Sequence, residues 1–246
     1  MHFAFISIFV ISVNFEALDA ITNGIWVQSV SELPFAAHLE VYVGTSKPSD
    51  VIVRVGDIDP ASKNIQAIRA SSLHVHPDYH FEEDYAINGK YEFPVNDIAL
   101  IKLSRRLVFS RNIRPIAIAN KNENFPEAGV DARVIGWGGK SGSEGSEKLL
   151  CTTVELWSYW HCTQQFPGKL LKSAICAFKK GNGPCEGDSG SPLFLNHNGT
   201  RIQIGVVSSG LEDECTNEKY ASSYTEVSKF CAWIELTVKE KICLYT

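Results

Sequence analysis

Short apolar or alternating runs recur along the chain, and Gly, Pro, Asn and Ser separate them. The clearest runs are VIVRV, DIALIKL, ARVIGWG and IQIGVVSSG, at 51–55, 97–103, 132–138 and 202–210. Alternation of apolar and polar residues is typical of β-strands that bury one face. The pattern therefore predicts a mostly β protein.

One stretch near the C-terminus has helical periodicity instead. It reads VSKFCAWIELTVKE at 227–240, and its apolar residues recur at steps of three and four: Val227, Phe230, Ile234 and Val238. Ser228 is the candidate N-cap of this helix. The turn-rich sequence FPEAGVDA at 125–132 lies near the midpoint of the chain and is the expected junction between two β halves. We therefore expect an all-β protein with a C-terminal helix.

The first 20 residues have the layout of a secretory signal peptide. An apolar run from Phe3 to Val13 is followed by the small residues Ala17 and Ala20. A membrane-spanning helix needs about 18 or more apolar residues, and this run has 11. We expect residues 1–20 to be removed, which leaves a single domain at 21–246 in a secreted, extracellular protein. No later stretch is apolar enough to predict a membrane span.

Composition narrows the classes of function. The chain has 246 residues, and 44% of them are hydrophobic, which is enough for a sizeable core. The formal net charge is −5, and Lys and Arg are scattered, so no basic surface is predicted to bind nucleic acid. Asn198-Gly199-Thr200 is a glycosylation sequon, which is consistent with secretion.

The cysteines all lie in the second half of the chain, and they number seven: Cys151, Cys162, Cys176, Cys185, Cys215, Cys231 and Cys243. In an oxidising compartment such residues form disulfides. Their spacings do not match the paired CxxC sequences of zinc sites, so no metal is expected. The odd number leaves at least one thiol unpaired.

The sequence CEGDSGSPL at 185–193 places an acid and a serine in a glycine-rich turn. Alone it is weak evidence for a nucleophile, because glycine-rich turns occur in many loops for conformational reasons. Other motifs accompany it along the chain: Ile21-Thr22-Asn23-Gly24, His76-Pro77-Asp78-Tyr79, Asn96-Asp97-Ile98-Ala99-Leu100, Gly136-Trp137-Gly138 and Ser208-Ser209-Gly210. Together, across nearly all of residues 21–240, they resemble the chymotrypsin-like serine endopeptidases.

The resemblance implies two antiparallel β-barrels of the six-stranded type and hydrolysis of peptide bonds through an acyl-enzyme, with no cofactor. It implies that Ser189 is the nucleophile and that Asp97 orients the catalytic imidazole. The backbone N–H groups of Gly187 and Ser189 would form the oxyanion hole. Protein or peptide substrates and protein protease inhibitors are the implied partners.

An activating ion pair is also implied by the resemblance. Asp188 matches the acid that pairs with the new amino terminus after cleavage, here Ile21, and so orders the oxyanion hole. The residue before Ile21 is Ala20 rather than a basic residue. Cleavage by signal peptidase would therefore expose Ile21 directly, without a zymogen stage.

The resemblance further assigns the substrate pocket and part of the disulfide pattern. Gly183 replaces the acid at the pocket floor of trypsin-like members, and the other implied substrate-binding residues are Ser208, Gly210 and Ser222. The implied bridges are Cys162–Cys176 and Cys185–Cys215, and the remaining cysteines have no assigned partner. A third bridge of the family is replaced by Ala132 and Leu195.

The motifs do not identify the general base. The family's Cys-Gly-Gly-Ser-Leu and Thr-Ala-Ala-His-Cys signatures are absent, and His38, in PFAAHLEV at 34–41, is the only candidate. Either Ala36-Ala37-His38 mimics the catalytic tripeptide, or PFAAHLEV is an early strand and the catalytic segment is missing just after it. Only 17 residues separate Ile21 from His38, too few for three strands with their turns. Both interpretations leave the first barrel incomplete.

The alternation in PFAAHLEV favours the strand. It sets His38 beside Glu40 on a polar, solvent-facing side. We therefore expect His38 to lie away from Ser189 and Asp97, with no other histidine in its place. Two functions remain open: a serine endopeptidase, or a catalytically inactive homologue that binds proteins.

Overall fold

The computed structural model describes residues 8–11, 24–41, 47–84, 91–120, 128–138, 145–165, 172–210 and 221–243. The strands in these ranges are β1 Ile8–Ile11, β2 Ile25–Trp26, β3 Ala37–Val41, β4 Val51–Val55, β5 Gln66–Val75, β6 His80–Asp84, β7 Tyr91–Val95, β8 Ala99–Leu103, β9 Ala117–Ile118, β10 Asp131–Gly136, β11 Leu150–Leu156, β12 Ala174–Phe178, β13 Pro192–His197, β14 Thr200–Ser209 and β15 Ser222–Glu226. The α-helices are α1 Tyr159–Gln165 and α2 Cys231–Val238.

The first half is an open five-stranded sheet with the order β1-β8-β5-β4-β3. All its neighbouring strands are antiparallel. In β4 the valines at 51, 53 and 55 are buried and the residues between them are half-buried, which is the predicted alternation. They form one core with residues of β5 and β8, including Ile68, Ala70, Ala99, Ile101 and Leu103.

The second half closes on itself. Six strands form a barrel in the order β10-β13-β14-β15-β12-β11, because β11 pairs back to β10. Its core includes Tyr224, which is fully buried. Ala132 and Leu195, the residues that replace the family's third bridge, lie in the same core, where they are 1% and 4% exposed. The predicted all-β fold with an incomplete first barrel is confirmed.

The C-terminal helix is shorter than predicted. Val227–Phe230 form a 3-10 turn, and the α-helix runs only from Cys231 to Val238. The expected Ser228 N-cap is wrong, because the Ser228 hydroxyl donates a hydrogen bond to Glu226 Oε1 at 2.5 Å. The periodicity of the segment reflects burial against the body of the protein in both the 3-10 turn and the α-helix.

Helix α2 lies across the border between the two halves. Ile234 and Val238 pack in one cluster with Ile98 and Leu100 of the first half and Val206 of the second. A disulfide between Cys231 and Cys243 ties the following segment to the helix. Sequence reasoning had left both cysteines without a partner.

Helix α1 and the β6–β7 hairpin were not anticipated from the sequence. The Cys162–Cys176 disulfide joins α1 to β12, as the resemblance implied. No helix in the described part of the chain combines the length and apolar character that crossing a membrane requires.

His76, in the turn before β6, packs against the C-terminal segment. Its ring lies 5.3 Å from the Phe230 ring and 5.0 Å from the Trp233 ring, between centroids. Nδ1 accepts a hydrogen bond from the N–H of Asp78 at 3.3 Å, which requires an unprotonated Nδ1. Burial lowers the pKa of His76 below its ordinary value, and the nearby Asp78 carboxylate offsets part of that shift.

We predict that acid destabilises the protein through His76. The folded state binds a proton at His76 less readily than the unfolded chain does. The contribution of neutral His76 to stability is therefore fully present above the ordinary histidine pKa of about 6.5. It is lost as the pH drops through the lower pKa of the folded state. The measurement is the free energy of unfolding in urea between pH 7.5 and 5. His76→Gln should show a weaker fall over that range, and an unchanged fall would contradict the assignment.

Candidate active site

The predicted nucleophile lies on a tight turn between β12 and β13. The N–H of Asp188 donates to the carbonyl of Cys185 at 3.1 Å, and the N–H of Ser191 donates to the carbonyl of Asp188 at 2.9 Å. Gly187 and Gly190 have φ angles of 82° and 86°, a region that favours glycine. This backbone leaves Ser189 exposed at the outer side of the turn.

The same turn presents two unused backbone donors. Within the described residues, neither the N–H of Gly187 nor the N–H of Ser189 donates to any acceptor. Nor does any described side chain hydrogen-bond to the Ser189 hydroxyl. The turn therefore offers a hydroxyl and two N–H groups close together to a molecule from solution.

Asp188 holds this turn against the Gly-Trp-Gly motif. Its side chain is fully buried; Oδ1 accepts from the N–H of Gly138 and Oδ2 from the N–H of Cys185, both at 3.1 Å. The carboxylate lies so close to Gly136 that a Cβ atom there would overlap it. Glycine at 136 is thus required by packing. Ile21, the predicted ion-pair partner of Asp188, lies outside the described residues.

Asp97 lies where the two halves meet. It is 1% exposed, and its Oδ2 accepts a hydrogen bond from the Ser208 hydroxyl of β14 at 2.7 Å. Its backbone carbonyl accepts from the Thr225 hydroxyl of β15 at 2.8 Å. Burial raises the pKa of Tyr79, and the Asp97 carboxylate raises it further.

His38 lies in β3, opposite Arg54 of β4. Two strands, β4 and β5, separate β3 from β8, so β3 and β8 are three strand spacings apart, roughly 14 Å along the sheet. Asp97 lies two residues before the start of β8. The structure therefore brings Asp97 and Ser208 together and keeps His38 in a different part of the first half.

The expectation that His38 faces solvent is wrong. Its side chain is half-buried, and its ring packs edge-on against Trp137 with 5.5 Å between centroids. Ala36, expected on the same polar side, is 3% exposed and lies in a core cluster. The alternation predicted the strand but not what covers it, because Trp137 comes from the second half of the chain.

Four other histidines contact neighbouring rings or polar groups in the described structure. The His161 ring stacks on Trp157 at 3.9 Å between centroids, and His74 Nε2 lies 2.8 Å from the Ser72 hydroxyl. His80 Nδ1 lies 2.9 Å from the carbonyl of Asp78. With His76 packed on α2, these four rings have local contacts in the described structure.

Two of the predicted pocket residues lie on paired strands: Ser222 begins β15, and Ser208 lies near the end of β14, where Ser209 pairs with Ser223. Gly183, Ser208 and Ser222 are buried, and Gly210 follows β14 at an exposed position. Tyr224, two residues after Ser222, was missed by sequence reasoning. Burial raises its pKa, with a further contribution from the Asp188 carboxylate. The alternation in SSYTE is the signal that could have placed Tyr224 on the same face of the strand as Ser222.

The remaining cysteines and the sequon complete the predicted sites. Cys185 is disulfide-bonded, and Cys215, its implied partner, lies outside the described residues. Cys151 is a free thiol, and burial raises its pKa. Asn198 is exposed in the turn between β13 and β14.

Comparison with known proteins places this site in a family. A family model described as Trypsin matches residues 36–234. The chain belongs to the trypsin family. Human serine protease 1 is 31% identical, over 80% of this chain and 75% of its own length, and chicken trypsin II-P29 is 30% identical, over 77% and 71%. A solved structure of neuropsin, a serine protease of mouse brain, superposes with a TM-score of 0.63 at 27% identity, covering 76% of this chain and 79% of that one.

Trypsin-family membership confirms the resemblance that the ordered motifs indicated. It supports proteolysis as the chemistry of the fold, acting on protein or peptide substrates.

We predict that Gly136→Ala destabilises the protein by about 1–3 kcal/mol, because the added methyl group must displace the buried Asp188 carboxylate. The measurement is the free energy of unfolding in urea. Gly210→Ala is the matched control, since a Cβ atom there has open space, and it should change stability by less than about 0.5 kcal/mol. Equal effects of the two variants would contradict the packing of Asp188 on Gly136.

Proposed function

We propose that this chain is a secreted trypsin-family serine peptidase that hydrolyses peptide bonds through an acyl-enzyme on Ser189, with strongly reduced turnover. The observation that carries the proposal is the turn of Ser189. It combines an exposed hydroxyl with two N–H groups that have no acceptor among the described residues. A peptide carbonyl bound there would meet a nucleophile and two donors at once.

In this reaction the Ser189 hydroxyl oxygen attacks the carbonyl carbon of the substrate. Negative charge develops on the carbonyl oxygen, and the N–H groups of Gly187 and Ser189 stabilise it. The buried Asp188 carboxylate holds the turn in place through the N–H groups of Gly138 and Cys185. The C–N bond then breaks: the serine proton is lost to solvent, and the leaving amine takes up a proton from solvent. Water hydrolyses the acyl-enzyme, which releases the carboxylic acid and restores the Ser189 hydroxyl.

Reduced turnover follows from the position of His38. A serine hydroxyl is a poor nucleophile near neutral pH unless an imidazole accepts its proton. His38 lies in β3 against Trp137, roughly three strand spacings from the strand that Asp97 precedes. In serine proteases with a serine, histidine and aspartate triad, loss of a triad member leaves about 10³ to 10⁴-fold catalysis over water.

The same position of His38 favours a second candidate function. A trypsin-family chain without a working base binds proteins or peptides through its pocket without cleaving them, and protein protease inhibitors are further ligands for such a surface. The proposed pocket is formed by Gly183, Ser208, Gly210 and Ser222. Reactivity of Ser189 separates this function from slow hydrolysis.

Secretion and activation are part of the proposal. Removal of residues 1–20 creates a free amino group at Ile21, and a fully buried carboxylate at 188 suits an ammonium partner. Asn198, exposed in its turn, is the proposed glycosylation site. No separate activating protease is required, since the signal-peptide cut itself produces the terminus.

We predict that a fluorophosphonate probe labels the secreted protein slowly and only at Ser189, because the probe needs the hydroxyl and the oxyanion donors. Ser189→Ala should abolish labelling. Peptide hydrolysis should be slow, and His38→Ala should leave it unchanged. Labelling rate and peptidase rate are the measurements. Absence of labelling in folded protein favours the binding function, and rapid hydrolysis lost in His38→Ala contradicts the reduced-turnover proposal.

We predict that the pocket prefers apolar or aromatic residues before the scissile bond. Gly183 supplies no charge at the proposed floor, and a buried Arg or Lys without a partner is unfavourable. A peptide library incubated at high protein concentration and read by mass spectrometry measures this preference. Gly183→Asp should shift it towards Arg and Lys, and dominant cleavage after basic residues by the unaltered protein would refute the assignment.

A further inference from the structure

Strand β1 lies at one end of the open first sheet and pairs only with β8 in the described structure. The pairing is antiparallel and joins Ile8 to Lys102 and Ile11 to Ala99. The opposite end of the sheet is β3, so this half has two ends, in contrast to the closed second barrel.

Residues 8–11 belong to the segment whose removal is part of the proposed function. Without them, β8 becomes the edge strand of the sheet. β8 is poorly suited to that position, because only Lys102 is exposed, and Ala99, Leu100, Ile101 and Leu103 are all buried when β1 is present. An apolar edge with unpaired backbone groups is a template for adding another strand.

We propose that, in the secreted chain, the outer edge of β8 is a docking site for an extended apolar segment of another polypeptide, which binds as an added antiparallel strand. This rests on the removal of residues 1–20 that the proposed function includes, and it does not depend on catalysis by Ser189. The backbone hydrogen bonds of the added strand supply affinity, and its side chains supply selectivity.

The faces of β8 define the chemistry of the partner. Ala99 and Ile101 lie in the core of the first half, and Leu100 lies in the cluster that includes α2. Residues directly opposite each other in an antiparallel pair share a face. The docked segment must therefore be apolar opposite Ala99, Leu100 and Ile101, whereas a polar residue suits the position opposite the exposed Lys102. The backbone of residues 8–11, IFVI in the sequence, pairs with β8 at this edge.

The docking site ends beside the candidate active site. β1 also lies near β14 of the second half. β8 begins two residues after Asp97, whose carboxylate accepts the hydrogen bond from Ser208 of β14. Because Ile11 pairs with Ala99, a segment bound in the same direction has its C-terminal end towards Asp97. The partner would thus contact the border between the two halves.

A second copy of this chain fits the edge less well. Two β8 edges paired about a two-fold axis at Ile101 would set each Lys102 opposite Leu100 of the other copy. That arrangement takes an ammonium group towards an apolar cluster and leaves it without a counter-charge. The expected occupant of the β8 edge is therefore a different polypeptide with an apolar extended segment.

The first test measures peptide binding to the secreted protein after N-terminal sequencing. The probe is a peptide of residues 6–13, ISIFVISV, with lysine tails for solubility. The control peptide carries Phe9→Pro and Val10→Pro. Adjacent residues of a strand direct their N–H groups to opposite sides, so the pair of prolines removes one donor facing β8 in either phase. Binding should weaken about tenfold or more, the equivalent of one backbone hydrogen bond.

The second test measures the register. Lys102→Cys in the secreted protein should form a disulfide with a peptide carrying Ile8→Cys, because the two positions are directly paired. Glu155→Cys, another exposed strand position, in β11, is the control and should cross-link at least about tenfold less, because no bound peptide raises the effective concentration of the two thiols there. Mass spectrometry locates each cross-link.

Three outcomes would overturn the proposal. The first is a secreted protein that retains residues 8–11, and the second is equal binding of the probe and the proline peptide. The third is self-association without peptide in analytical ultracentrifugation, abolished by adding the probe, which would make a second copy the occupant. Fluorophosphonate labelling of Ser189 in the same preparation reports on the peptidase function independently, so the two proposals fail separately.

Discussion

The buried carboxylate of Asp188 is the constraint on which the candidate active site depends. Its two oxygens accept N–H groups from Cys185, on its own turn, and from Gly138, on a distant segment. A buried carboxylate is stable only where such donors surround it, so the turn and the Gly-Trp-Gly segment position each other. The exposure of Ser189 on its turn, together with the N–H groups of Gly187 and Ser189, follows from that arrangement.

A second set of polar contacts joins the two halves. Asp97 precedes β8 of the first half, yet both of its hydrogen bonds described above come from the second barrel, from Ser208 and Thr225. The apolar cluster around α2 spans the same border. Polar contacts provide direction and apolar packing provides most of the free energy, so the halves dock in one arrangement.

The second half is a closed barrel, whereas the first half is an open sheet. This difference underlies both the proposed reduced turnover and the proposed docking site. The second barrel is complete, and the Ser189 turn and the residues predicted to form the pocket belong to this half of the chain. The first half is an open sheet that places His38 at one end and β8 near the other. The reduced turnover and the docking edge, both proposed above, rest on the same incomplete sheet.

Much of this protein followed from local patterns in its sequence. Alternation in VIVRV predicts a strand because a half-buried strand repeats every two residues, and the short apolar run ALIKL predicts a buried strand. Both segments form strands in the structure. The ordered motifs around Asp97 and Ser189 indicated the family, because each is a short stretch with specific backbone demands. Gly187, with its positive φ, is an example.

Contacts between distant segments were decided only by the tertiary structure. The alternation around His38 predicts a solvent-facing strand residue. In the structure, the ring of Trp137, about a hundred residues later, packs against it. The Cys231–Cys243 pairing, the 3-10 turn in place of a Ser228 cap, and the Ser208 bond to Asp97 likewise depend on which elements meet. A periodicity records that a face is buried, and it does not record which residues bury it, since that choice is made by packing between segments far apart in the chain.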